Sequence, residues 1–106
     1  MKTNTKPLIP RLIRVGSKRY SVEVIEALLD KQQLGRIQYG EQRIQIGMRN
    51  GLTNRKRSAA DVRDSFWHEL VHAILYDMGR HNLNRDEAFV LAFASRLSTA
   101  IDSARF

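Results

Sequence analysis

There is no cysteine among the 106 residues of this chain. That excludes a disulfide framework, a thiolate metal site and a cysteine nucleophile, so any metal bound here must take nitrogen and oxygen donors. It also suits a reducing compartment. No stretch is apolar for long enough to span a bilayer, and residues 1–7 are polar, with no signal-peptide core. A soluble cytoplasmic protein with a flexible leader over 1–7, and no membrane partner, is the expectation. Acids are scarce beside bases, 11 against 18, leaving a net charge of +7. The bases gather near the N-terminus (Lys2, Lys6, Arg11, Arg14, Lys18, Arg19) and again at Arg49, Arg55, Lys56 and Arg57. Aromatic residues are not interleaved with either cluster, as a single-strand binder requires, so nucleic acid ranks below protein or peptide as the expected partner.

What remains is enough for one domain over 1–106 with a single core. Residues 8–15 alternate loosely around Pro10 and predict a short edge strand. A turn is expected at 16–19. Val22, Ile25, Leu28 and Leu29 recur at helical spacing after Ser21, predicting a helix to about residue 33 that Gly35 ends. Residues 36–39 and 43–48 alternate on both sides of Gly40-Glu41-Gln42, a β-hairpin pattern. It should turn Ile37, Tyr39, Ile44, Ile46 and Met48 inward and Arg36, Gln38, Arg43 and Gln45 to solvent. Residues 49–57 have neither period and read as a flexible basic loop. Ser58 caps a long helix that runs to Met78 and stops at Gly79. After a connector at 80–83, Asn84 with Glu87 three residues on forms a capping box for a last helix through Ile101. The fold class expected is α+β, a small, mostly antiparallel sheet with about three helices.

One stretch carries chemistry. In the run from Asp64 to Tyr76, His68-Glu69-Leu70-Val71-His72 places two imidazoles four residues apart, on one face of the long helix, where both can turn a ring nitrogen to one ion. Glu69 sits one step around, outside the coordination shell but near enough to a water to act as general base. Two histidines on an ordinary amphipathic helix are the plain alternative. The apolar setting (Phe66, Trp67, Leu70, Val71, Ala73, Ile74, Leu75) argues against it, because buried ionisable groups must be paired or bound to metal. Zinc with three protein ligands is the expected cofactor. Glu87 is the best third ligand, since a short connector returns it beside the motif; the competing role is the capping box, and Asp86 and His81 are the alternatives. Tyr76, one turn beyond His72, and Tyr39, on the hairpin, are candidates for stabilising an oxyanion.

These residues resemble the core of the zincin metallopeptidases over Trp67 to Leu97, in the subgroup whose third ligand is a glutamate on the following helix. The stretches His-Glu-Leu-Val-His-Ala-Ile-Leu and Asp-Glu-Ala-Phe-Val-Leu-Ala-Phe-Ala-Ser-Arg-Leu are similar to small phage and prophage metallopeptidases. They are more distantly similar to the ImmA/IrrE peptidases, which cleave phage-type repressors. Leu75 and Met78 stand where the metzincin pattern needs glycine and histidine, which excludes that branch. The short interval from His72 to Glu87 implies a minimal zincin-like fold. The resemblance implies peptide-bond hydrolysis, with His68, His72 and Glu87 holding zinc and Glu69 as base. The rivals are a catalytically degenerate zinc protein that acts by binding another protein, and a basic nucleic-acid binder.

Overall fold

The computed structural model of the protein describes residues 9–28 and 33–106. The expected leader over 1–7, and the end of the expected first helix at 29–32, lie outside the described residues. Four strands come first, β1 (Leu12–Val15), β2 (Lys18–Ile25), β3 (Gly35–Gln38) and β4 (Arg43–Gly47). Three helices follow, α1 (Ala59–Asp77), α2 (His81–Asn84) and α3 (Glu87–Ser103). The strands form one mixed sheet in the order β1-β2-β4-β3. β1 pairs antiparallel with β2 and β3 with β4, while β2 and β4 run parallel at the centre. The α+β class and the mainly antiparallel pairing agree with expectation.

The expected helix from Ser21 is instead strand β2. Val22 and Ile25 fit a helical repeat, but Tyr20 and Val22 also fit a repeat of two, and these two are the buried residues of the strand, flanked by exposed Arg19, Ser21 and Glu23. Val22, Val24 and Ile25 are β-branched and gain more on a pleated surface than on a helix. The turn is tighter than expected: Gly16, at φ 61°, and Ser17 alone make it, so Lys18 and Arg19 already belong to β2. The hairpin follows expectation on its inner face, with Ile44 and Ile46 fully buried. Gln45 does not. As part of a central strand it is only 9% exposed, covered by its neighbours on the outer face, accepting from Arg36 Nε at 2.7 Å and donating to Glu23 Oε1 at 2.8 Å.

The core lies between sheet and α1, built from Val15, Tyr20, Val22, Ile44, Ile46, Phe66, Leu70 and Ala73. A second cluster of Val71, Leu75, Val90 and Ala94 joins α1 to α3. Helix α1 is therefore covered on one side by the sheet and on another by α3, which is why its motif stretch is apolar nearly all round. Ser58 Oγ accepts from Asp61 N at 3.0 Å and opens the helix. Gly79, at φ 73°, closes it, with Gly79 N donating to Tyr76 O and Arg80 N to Leu75 O, the paired bonds of a left-handed C-cap.

Two connections differ from expectation. The basic loop over 49–57 is braced: Arg49 bridges Lys56, and Asn50 Oδ1 accepts from Leu52 N and Thr53 N. Arg57 ties it down by donating to Leu34 O, Gly47 O, Asp61 O and Ser65 Oγ. The connector after α1 holds the short helix α2, and the cap of α3 is Asp86, whose side chain accepts from Phe89 N at 3.0 Å. The expected capping box of Asn84 with Glu87 is not formed, because Asn84 ends α2 and its amide is engaged elsewhere. No described helix is long and apolar enough to cross a membrane.

Candidate metal centre

Helix α1 brings His68 and His72 to one face, one turn apart, with ring centroids 5.0 Å apart and edge to face. Glu87, the first residue of α3, reaches across to both. Its Oε1 lies 3.2 Å from His68 Nε2 and its Oε2 3.3 Å from His72 Nε2. One donor atom from each of the three residues falls within 4.8 Å of the others. An ion with bonds of about 2.0–2.1 Å and tetrahedral angles separates its ligand atoms by about 3.3 Å, so this nitrogen and oxygen donor set is one that could hold an ion such as zinc once its side chains draw in. The structure thus places Glu87 with the histidines and releases it from the cap. Asp86 holds the cap instead, and His81 turns its ring edge-on to Tyr76, with centroids 5.7 Å apart.

The electrostatics suit a metal-binding pocket. Burial, reinforced by the neighbouring His72, lowers the His68 pKa below its ordinary 6.5 against the opposing pull of Glu87, which favours the neutral ring that can ligate. Glu69 is buried at 7% exposure, and burial, with the charge of Glu87 second, pushes its carboxyl from 4.5 up to about 7. It lies against β3. A Cβ on Gly35 would stand 3.2 Å from Glu69 Oε2 and 3.3 Å from its Cγ, so that glycine makes room for the carboxylate. In the sequence Gly35 reads only as the end of a helix.

A cavity of about 1010 Å³ opens over the group. Its floor holds His68, Glu69, His72 and Glu87; one wall is β3 with Tyr39, and the other is the braced loop with Asn50, Thr53, Arg55 and Lys56. Among the described residues β3 is an edge strand, and Gly35, Arg36 and Ile37 of it line the cavity. The two tyrosine candidates separate here. Tyr39 lines the cavity, and burial, opposed by its bond from Asn84, raises its phenol above the usual 10, so it stays a proton donor. Tyr76 does not line the cavity; it stacks behind Tyr39 with centroids 4.0 Å apart, and Lys18 Nζ lies 5.5 Å over its ring.

Asn84 is the participant that the sequence did not disclose. Its Oδ1 lies 2.6 Å from His72 Nδ1, and its Nδ2 donates to the Tyr39 hydroxyl at 3.0 Å. An asparagine just before a helix reads as a cap, and only the fold of the connector shows the other use. No protein-family model matches the chain, and neither the curated proteins nor the solved structures yield a match.

Proposed function

We propose that the chain is a zinc-dependent metallopeptidase of the zincin kind, with a glutamate as third ligand. The observation that carries this reading is the convergence of His68, His72 and Glu87 at ligand spacing, with Glu69 beside them at the floor of an open cavity. The three ligand residues would hold zinc, which supplies Lewis acidity toward a carbonyl oxygen and a water when bound. Glu69 takes the proton of the attacking water and passes it to the leaving amine. A carboxyl held near neutrality can move a proton in both directions at the working pH. Tyr39, protonated at the cavity wall, donates to the oxyanion that develops on the substrate. The position of β3 at the sheet edge among the described residues supports an extended peptide as substrate, since an edge strand's backbone groups can pair with one more strand. The resemblance of the motif stretches to phage and prophage peptidases is the one ground for placing that role in an infected or lysogenic bacterial cell.

The test is a pair of measurements on purified protein. Elemental analysis should find about one zinc per chain, lost in His68→Ala. A quenched-fluorescence peptide library should be hydrolysed by the wild type, whereas Glu69→Gln keeps zinc but loses turnover, because an amide cannot accept the proton. Unchanged turnover in Glu69→Gln would rule out the assigned base.

A further inference from the structure

The bonds of Asn84 allow little freedom once His72 is a ligand. If His72 Nε2, which faces Glu87, presents its lone pair to an ion, the ring proton must sit on Nδ1. The partner of Nδ1, 2.6 Å away, must then be an acceptor, and the only acceptor on an asparagine side chain is its oxygen. That orients the whole amide. Its NH2 group is left facing the Tyr39 oxygen at 3.0 Å, where it can only donate. The Tyr39 hydroxyl, accepting from Asn84, cannot spend its own proton there, and that proton is free for the cavity which Tyr39 lines.

We propose that Asn84 is a positioning residue that sets the tautomer of His72 and the direction of the Tyr39 hydroxyl with one amide, coupling the metal ligand to the donor on the cavity wall. The proposal rests on the peptidase reading above. Without an ion the same groups have a second solution: His72 Nε2–H donates to Glu87, the amide turns over, and Tyr39 donates to Asn84. Metal binding therefore selects the amide orientation that releases the Tyr39 proton. Asn84 stands at the end of α2, and this four-residue helix has no buried residue of its own. Beside the edge-on contact of His81 with Tyr76, what ties it to the site is Asn84, which holds His72 on α1 and Tyr39 beyond the end of β3.

Substitution separates the two bonds. In Asn84→Asp a carboxylate still accepts from His72 Nδ1–H but now also accepts from Tyr39, drawing the hydroxyl proton away from the cavity. Zinc affinity should stay within about threefold of wild type or tighten, because an acidic partner raises the basicity of a ligating ring. Turnover of the same peptide library should fall on the order of 100-fold in kcat with little change in KM, as for loss of one oxyanion donor. Tyr39→Phe should show the same loss, and Asn84→Asp with Tyr39→Phe together no more than either alone. Asn84→Ala should weaken zinc about 10–100-fold. Thermal unfolding checks that each variant folds, and the near-isosteric aspartate carries the test if alanine does not. Wild-type zinc affinity in Asn84→Ala, or kcat losses that multiply in the double variant, would overturn the proposal while leaving the peptidase reading intact. A wild type that holds zinc but cleaves nothing would sink the peptidase reading and the Tyr39 half, with zinc affinity still deciding the tautomer half. A wild type that binds no zinc would end both.

Discussion

Glu69 is the residue whose environment does most to shape behaviour without metal. Its carboxyl is raised from 4.5 to about 7 by burial and by Glu87, so the folded protein keeps a proton that the unfolded chain releases. The sign follows: between pH 4.5 and about 7 the unfolded state binds fewer protons, and stability falls as pH rises. The effect is complete above that window and absent below it, and by linkage it amounts to about 3 kcal/mol at most. Glu69→Gln carries no ionising group and escapes the penalty. In chelator, the variant should match the wild type in thermal unfolding near pH 4.5 and exceed it at pH 8. Equal melting temperatures at pH 8 would show that the carboxylate is not penalised as its burial implies. His68, Glu69 and His72 were legible in the sequence because helical spacing alone puts them together. Gly35 and Asn84 were not, since each matters for side chains distant in sequence that the fold lays against it, Glu69 for the first and His72 and Tyr39 for the second.

At the scale of elements, the sequence told truly wherever one local signal stood unopposed. Ser58 and Gly79 bound α1 as their capping chemistry predicts, and the alternation around Gly40 gives the β3–β4 hairpin. It misled where two signals overlapped. Val22 fits a helical repeat with Ile25 and a repeat of two with Tyr20, and the choice went to the strand because β1 and β4 offer β2 a pairing partner on each side. Asn84 and Asp86 are both good caps two residues apart, and Asp86 took the role. Asp86→Ala should cost about 1 kcal/mol, the loss of one N-cap bond, while the zinc stoichiometry stays at one per chain. A variant that lost zinc outright would restore Asp86 as a ligand. Denaturant unfolding and metal analysis of the same preparation give both answers.

In the whole molecule the sheet, α1 and α3 stack in sequence, and the candidate metal centre spans the second junction. The apolar cluster there is centred on Val71, Leu75, Val90 and Ala94, with Trp67, Phe89 and Leu97 packed against it, and is smaller than the one beneath the sheet. Strand order was not legible beforehand, because the parallel β2–β4 pairing joins segments that no local pattern relates. The proposed site is nonetheless whole only in this arrangement, with two ligands on α1 and the third on α3. An ion there ties the two helices together, and since the unfolded chain has no such site, binding free energy becomes folding free energy. At free zinc 1,000-fold above the dissociation constant the gain is about 4 kcal/mol. For a domain of this size, each kcal/mol raises the melting temperature by roughly 4–8 °C. Zinc should therefore raise the unfolding temperature of the wild type by tens of degrees over the chelated protein. Glu87→Gln should lose most of that gain, because the carboxylate it removes is the one that meets both histidines; in chelator it also lifts from Glu69 the charge that helps raise its carboxyl. A zinc-dependent shift of equal size in Glu87→Gln would place the third ligand elsewhere, and would leave α3 held to α1 by its apolar cluster, the Ser98–Asp64 hydrogen bond and the Arg63–Asp102 ion pair.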